Sequence, residues 1–250
     1  MEKCNPVATP SEKNVSFDNP PVNDSQETFP YRELIGALMD LSVATRPDIA
    51  NTVSRLGQFT CNSNKCHWLA AKRVLRYLAG SASLGLVYTK KKEALCGYTD
   101  ADWGNCVIDR RSYTGYVFLL SGAAISWKST KQRTVALSTT EAEYVSLSEA
   151  SKEAIYLRSI LLELGFLDFA KTKIFVDNRG ALCLANDHVF HARTKHIDIK
   201  HHFVRESVVA GMFVLQHIPT DQMTADILTK PLSREVHSKC TEALGLRKLN

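Results

Sequence analysis

Four acidic side chains lie near the ends of expected elements, where their oxygens could converge on a divalent cation. Asp100 closes an apolar stretch, 95–100, and Asp177 closes another, Ile174-Phe175-Val176. Both carboxylates are therefore expected at strand ends, the edge where open α/β sheets build their sites. Asp177-Asn178 also reads as a helix start, since Asp and Asn are favoured N-caps, and the two roles are compatible. Glu143 lies on a long amphipathic stretch. At about 100° per residue it shares one line with Leu147, Ala150, Ala154, Leu157, Leu161 and Leu164, whereas Glu141 lies roughly opposite, with capping-box spacing from Ser138. Glu143 thus points with the leucines toward a sheet, where a lone carboxylate calls for a cation or a donor. The alternative is a Glu at the frayed end of the stripe, reaching water. Asp226 follows Thr224, the expected N-cap, in the first turn of a short helix, where the macrodipole favours negative charge. Hard divalent cations such as Mg²⁺ take oxygen ligands of this kind. Two of them about 4 Å apart can activate a water and stabilise the leaving oxygen in phosphodiester cleavage.

The elements that must position these acids follow from local patterning. Residues 1–30 hold five of the eight prolines and almost no apolar periodicity, which predicts a flexible tether. Residues 31–92 carry three helical stripes: Leu34, Ile35, Leu38, Met39 and Leu41; then Ile49, Val53 and Leu56 after Pro47; then Leu69, Val74, Leu75 and Leu78. His67 is placed just before the third helix. Trp68, Lys72 and Arg76 share one face of it, with Arg73 alongside, as a basic ridge. From residue 93 the pattern turns to strands at 95–100, 115–120 and 123–128, the last two joined by a Ser121-Gly122 hairpin turn. A long helix from about 139 to 164, a strand at 173–177, a short helix from 178, a helix at about 195–210, a strand at 212–218 and a short helix at 224–230 complete a mixed sheet flanked by helices, residues 93–232. Residues 233–250 are expected to form a tail helix.

At 250 residues with 44% hydrophobic and 23% charged, the composition is globular and excludes collagen, low-complexity disorder and a disulfide scaffold. The net charge of +5 is mild. Its distribution is not: residues 51–92 contain eight Lys or Arg and no acid, and 110–140 contain five and again no acid, which suggests a surface that meets phosphate. Seven cysteines without a CxxC pair argue for reduced, intracellular thiols and against zinc ribbons. No signal pattern is present, and the longest uncharged run, 112–127, is too short to span a bilayer, so no membrane partner is expected. His188, His191, His196, His201 and His202 cluster without a zinc spacing, and with Arg193, Lys195, Lys200 and Arg205 they read as a basic segment facing nucleic acid. Trp103 and Trp127 read as core or near-site packing.

Several motifs are recognisable. Tyr98-Thr99-Asp100-Ala101-Asp102-Trp103, Ser126-Trp127-Lys128-Ser129-Thr130-Lys131-Gln132, Leu137-Ser138-Thr139-Thr140-Glu141-Ala142-Glu143-Tyr144, Val176-Asp177-Asn178, Arg193-Thr194-Lys195-His196-Ile197-Asp198-Ile199 and Ala225-Asp226-Ile227-Leu228-Thr229-Lys230-Pro231-Leu232 strongly resemble the ribonuclease H domain of copia-type retrotransposon Pol polyproteins. Upstream, Tyr31-Arg32-Glu33-Leu34-Ile35-Gly36-Ala37-Leu38, Thr45-Arg46-Pro47-Asp48-Ile49 and the segment 67–78 resemble the thumb and connection helices of the same polyproteins, and Pro6-Val7-Ala8-Thr9-Pro10 resembles the tether after the polymerase palm.

The resemblance implies an α/β ribonuclease H-like fold with a mixed five-stranded sheet, preceded by a small helical thumb/connection bundle. It implies a catalytic and metal-binding quartet at Asp100, Glu143, Asp177 and Asp226, with Asp102 as an alternative to Asp100 on the same strand face. It further implies two Mg²⁺ ions, for which Mn²⁺ can substitute, with Asp100 bridging them, Glu143 and Asp177 on one and Asp226 on the other. The reaction implied is hydrolysis of the RNA strand of an RNA-DNA hybrid to a 3′-hydroxyl and a 5′-phosphate. Lys72, Arg73, Arg76, Lys128, Lys131, Arg193, Lys195 and Lys200 are the expected hybrid-binding residues, and a reverse transcriptase polymerase domain is the expected partner in a longer polyprotein. A Tyr-x-Asp-Asp polymerase motif and an aspartic-protease motif are absent, so the chain is expected to be a C-terminal Pol fragment that does not polymerise DNA. The alternative from another class is a nucleic-acid-binding remnant or domesticated module. A transposase core of the same fold is disfavoured by the order of the acids. A histidine before the fourth acid sometimes assists in this family, and which one would do so here is open.

Overall fold

The computed structural model of the chain describes residues 4–13, 29–90, 93–186 and 195–249. Arg193, His188 and His191 lie outside the described residues, as do most of the expected tether and the side chains of Lys195 and His196.

Three helices open the described structure: α1 Tyr31–Ala44, α2 Ala50–Gly57 and α3 Lys65–Gly80. Their apolar stripes converge, burying Tyr31, Ile35, Leu38, Ile49, Val53, Leu56, Ala71, Val74 and Tyr77 in one cluster. His67, expected just ahead of α3, lies inside its first turn and closes a capping box. Asn64 Oδ1 accepts the His67 N–H at 3.1 Å and His67 Nδ1 accepts the Asn64 N–H at 3.1 Å. Residues 4–13 of the expected tether lie along α3, with Thr9 and Ser11 buried.

The hairpin, the long helix and the strand alternation build the second part. Strand β2 Cys96–Asp102 is central, flanked by β3 Tyr113–Leu120, β4 Ala123–Lys131, β5 Lys173–Val176 and β6 Val214–His217 in the order β4-β3-β2-β5-β6. The β2/β3 and β3/β4 pairs are antiparallel, and β2/β5 and β5/β6 are parallel. This is a mixed five-stranded sheet, as the resemblance implies. The β3–β4 turn places both Ser121 and Gly122 at positive φ, as a two-residue hairpin of the right twist requires. One sheet face is covered by α4 Thr139–Glu163, with α5 Arg179–Asn186 and α6 Lys195–Val209 beside it, around Phe118, Tyr144, Leu147, Ala150, Ile174, Val176, Val204 and Phe213.

The other face is closed by material from both ends of the chain. Ala50 of α2 joins Val117, Ala124, Ile227, Leu228, Leu232, Cys240 and Leu244 in one buried cluster. The expected tail helix is α7 Arg234–Ala243, and it is followed by a strand that the residue pattern did not announce. This β7 Leu246–Lys248 pairs antiparallel with β1 Leu84–Leu86.

A buried polar knot fastens the two parts. Arg46 Nη2 lies 2.7 Å from Asp48 Oδ2, Tyr77 Oη donates to the same oxygen at 2.6 Å, and Arg46 also donates to the Ser81 carbonyl and hydroxyl. The Asp48 carbonyl faces His237 Nε2 of α7 at 3.4 Å. Each charge here is paired, which burial demands.

Candidate active site

Each candidate acid is set in place by a separate element. Asp100 is two residues inside β2 rather than at its end, because the strand runs on to Asp102. It is 2% exposed, and its Oδ2 accepts the Thr229 hydroxyl. Glu143, 6% exposed, stands in the first turns of α4, whose start is fixed as expected: Ser138 Oγ accepts the Glu141 N–H at 3.1 Å. Glu141 itself reaches back to the Leu137 N–H at 2.9 Å, a local structural role. Asp177 follows β5, and the capping is done by its neighbour: Asn178 Oδ1 accepts the Ala181 N–H at 3.0 Å, which leaves the Asp177 carboxylate to face the site. Asp226 sits in a 3-10 turn, Thr224–Leu228, in which Met223 and not Thr224 occupies the N-cap and no side chain caps the turn.

The structure brings carboxylate oxygens of Asp100, Glu143 and Asp177 within 4.8 Å of one another. Asp226 joins them through Lys230, whose ammonium is 2.9 Å from Asp226 Oδ1 and 3.6 Å from Asp100 Oδ2. Burial, then the charges of Asp100 and Asp177, hold the Glu143 carboxyl well above the usual carboxylate range. Asp177 is raised by the same causes, burial first and then Asp100. Asp226 is pushed up to about 7 by burial and by Asp100, against the opposing charge of Lys230. Burial works against the Lys230 ammonium, but Asp100 and Asp226 outweigh it and hold its proton more tightly than usual. Among the described residues these four acids share a single ion-pair partner, Lys230, so the cluster is short of positive charge.

Whether a divalent ion fits can be judged from the donors. Glu143 Oε2 is buried with no hydrogen-bond partner, an arrangement that costs free energy unless a cation takes the oxygen. The set is all carboxylate oxygen, the donor type hard ions select. The residues fit such an ion. Asp102 does not compete with Asp100, because its carboxylate accepts the Tyr113 N–H of the neighbouring strand. Burial leaves it at about 6.

Comparison with known proteins agrees with the motifs. No protein-family model matches the chain. The retrovirus-related Pol polyprotein from transposon TNT 1-94 of Nicotiana tabacum is 39% identical over 252 residues, covering 98% of this chain and 19% of that protein. The chain belongs to the copia-type retrotransposon Pol polyproteins. It spans about a fifth of the length of this Pol relative. A shorter relative, the secreted RxLR effector protein 161 of Plasmopara viticola, is 53% identical over 132 residues, 52% of this chain and 93% of that one. Among solved structures, LC11-RNase H1, isolated from compost by a metagenomic approach, matches with a TM-score of 0.42 and 17% identity, over 58% of this chain and 96% of that one.

The remaining residues expected to bind nucleic acid in this Pol chain fall into separate groups. On α3, Lys72 lies over the Trp68 ring, 5.7 Å from its centroid. Arg73 and Arg76 turn toward the N-terminal segment: Arg73 Nη1 is 2.5 Å from Glu12 Oε1 and Arg76 Nε donates to the Asn5 carbonyl at 2.7 Å. Lys131 pairs with Asp109 at 2.8 Å and with Gln58 Oε1 at 2.9 Å. Lys128 lies 3.7 Å from Glu149 of α4, and the field of Lys200 reaches the same carboxylate. Trp103 is not core: it is 52% exposed and donates to the Ala136 carbonyl at 3.1 Å, while Trp127 is half-buried and donates to the Ser42 carbonyl at 2.8 Å. His201 packs against Tyr144 with centroids 4.0 Å apart and the rings tilted by 33°. Before the fourth acid, His217 ends β6 with Nε2 3.1 Å from the Asp177 carbonyl oxygen. The residue pattern gives Thr229 no site signal, and Lys230 only the i,i+4 spacing from Asp226.

Proposed function

We propose that the chain is a divalent-metal-dependent endoribonuclease that hydrolyses the RNA strand of RNA-DNA hybrids. The observation that carries this reading is the convergence of Asp100, Glu143 and Asp177 within 4.8 Å, around a buried Glu143 oxygen without a partner. Asp100, Glu143 and Asp177 would hold one ion, and Asp100 with Asp226 a second, with Mg²⁺ the natural occupant and Mn²⁺ a substitute. When bound, such ions lower the pKa of a water and stabilise the leaving oxygen of a phosphodiester.

The chain's own residues do the rest. Thr229 and the strand pairing hold Asp100 in one rotamer, and Asn178 takes the capping role that would otherwise occupy Asp177. Lys230 supplies a permanent positive charge beside Asp100 and Asp226. Lys128 and Lys200, around Glu149, offer a basic surface for the hybrid backbone. The same reading makes a reverse transcriptase polymerase domain the partner in a longer polyprotein. It places the chain inside the cell, where its seven free cysteines stay reduced. No helix of the described residues is long and apolar enough to cross a membrane.

A second reading, a nucleic-acid-binding module that does not cleave, is favoured by one observation: the Lys230 ammonium already neutralises part of the Asp100–Asp226 pair. A labelled RNA-DNA hybrid incubated with Mg²⁺ and either the parent or Asp177→Asn separates the two. Cleavage by the parent and not by the variant supports the nuclease. Binding without cleavage by either sinks it.

A further inference from the structure

The turn that carries Asp226 rests on a row of three residues paired across the sheet. Asp100 is opposite Gly115 and Gly115 is opposite Ser129, so the three share one face of β2, β3 and β4. The turn sits directly on the middle of this row. A Cβ at Gly115 would lie 2.6 Å from Thr229 Cγ2 and 2.8 Å from Leu228 Cβ, distances no side chain tolerates. At one end of the row the Thr229 hydroxyl bonds Asp100. At the other, Ser129 Oγ donates to the Leu228 carbonyl at 2.6 Å.

The same carbonyl takes a second donor from outside the sheet. Asn51 of α2, buried in the interface between the helical bundle and the sheet, donates from Nδ2 to Leu228 O at 3.1 Å and lies 3.3 Å from Ser129 Oγ. Asn51, Ser129 and the Leu228 carbonyl therefore form a closed triangle. On its far side the turn packs Ile227 and Leu228 against Cys240 and Leu244 and borders a cavity of about 410 Å³ lined by Met223, Val236, Cys240 and Ala243. A short 3-10 turn has poor internal hydrogen bonding. Its position must then be set by what grips it.

We propose that Asn51 is a positioning residue for the Asp226 carboxylate. With Ser129 it clamps the Leu228 carbonyl and so fixes the distance between Asp226 and Asp100. The helical bundle is on this account a working part of the site rather than a preceding module. The proposal rests on the nuclease reading for its catalytic consequence, but the clamp itself is a statement about the turn.

The test uses the full 250-residue chain with Asn51→Ala, Ser129→Ala, both together, and Ser129→Thr, which keeps the hydroxyl. A displacement of about 1 Å at a reacting group costs on the order of 10²-fold in rate. The double variant should therefore lose roughly ten- to a hundredfold in kcat, with KM for the hybrid within about twofold of the parent. Each single variant should lose less, because one donor remains, and Ser129→Thr should stay near the parent. Independently of cleavage, hydrogen exchange of the Thr229 and Lys230 amides, which both donate to the Asp226 carbonyl, should quicken at least about tenfold in the metal-free double variant while α3 stays protected. Parent-like exchange at those two amides overturns the clamp, as does parent-like kcat in a folded double variant. Loss of protection throughout α1–α3 would also overturn it, by assigning the pair to general stability. If the parent does not cleave, the nuclease reading fails and the exchange measurement still decides the clamp.

Discussion

Replacing Asp226 by asparagine should stabilise the metal-free protein, and by an amount that grows with pH. The Asp226 carboxyl is held at about 7 instead of its ordinary 3.8, by burial first and by Asp100 second, net of its pairing with Lys230. A group whose proton affinity is raised on folding favours the folded state at low pH. That advantage is lost as pH climbs from the ordinary value through the raised one. At about 1.4 kcal/mol per tenfold change in proton affinity, the ionised carboxylate disfavours folding by about 4 kcal/mol above pH 7, and by less than half of that at pH 5. The Asp226→Asn variant carries no such titration. Its advantage over the parent should therefore widen by about 2–3 kcal/mol between pH 5 and pH 8. For a chain of this size that is on the order of 5–10 °C in Tm. Thermal unfolding in chelator at the two pH values measures it directly. Adding Mg²⁺ at pH 8 should raise the parent's Tm by more than the variant's, because a ligand that binds the folded state stabilises it by mass action and the variant keeps only the Asp100–Glu143–Asp177 set intact. An advantage that is equal at pH 5 and pH 8 would refute the argument that Asp226 is strained by its uncompensated neighbours.

Two further outcomes follow from other parts of the molecule. Arg46→Met leaves the Asp48 carboxylate buried without its cation, and should cost about 3–5 kcal/mol in chemical denaturation, with loss of a single shared transition for the bundle and the sheet. In hybrid binding, Lys128→Ala and Lys200→Ala should each reduce the slope of log affinity against log salt by about 1, whereas Arg73→Ala, whose guanidinium is already engaged by Glu12, should leave that slope unchanged.

What the residues revealed in advance, and what they hid, divides along the range of the interactions involved. The orientation of Glu143 was legible because helical periodicity is a local rule, and a carboxylate on an apolar line has few explanations. Asp177 was legible only in part: strand-end and cap readings coexist in Asp177-Asn178, and the structure resolves them by giving the cap to Asn178. Apolar alternation fades at Asp100 and predicts a strand end there, yet pairing with β3 carries the strand through the polar residues to Asp102. Tertiary hydrogen bonding outran the local pattern. Helical spacing presents Arg73 and Arg76 as part of a basic ridge, because nothing local reveals that a Pro-rich segment some sixty to seventy residues earlier lies against them. Asn51 is the extreme case: in sequence it is an uncharged residue at the head of an acid-free tract. Its partner Leu228 is 177 positions away. Residue type and spacing can nominate the carboxylates that do chemistry. The groups that hold those carboxylates in register act through backbone carbonyls, which every residue possesses, and so they leave no mark on the sequence until the fold brings donor and acceptor together.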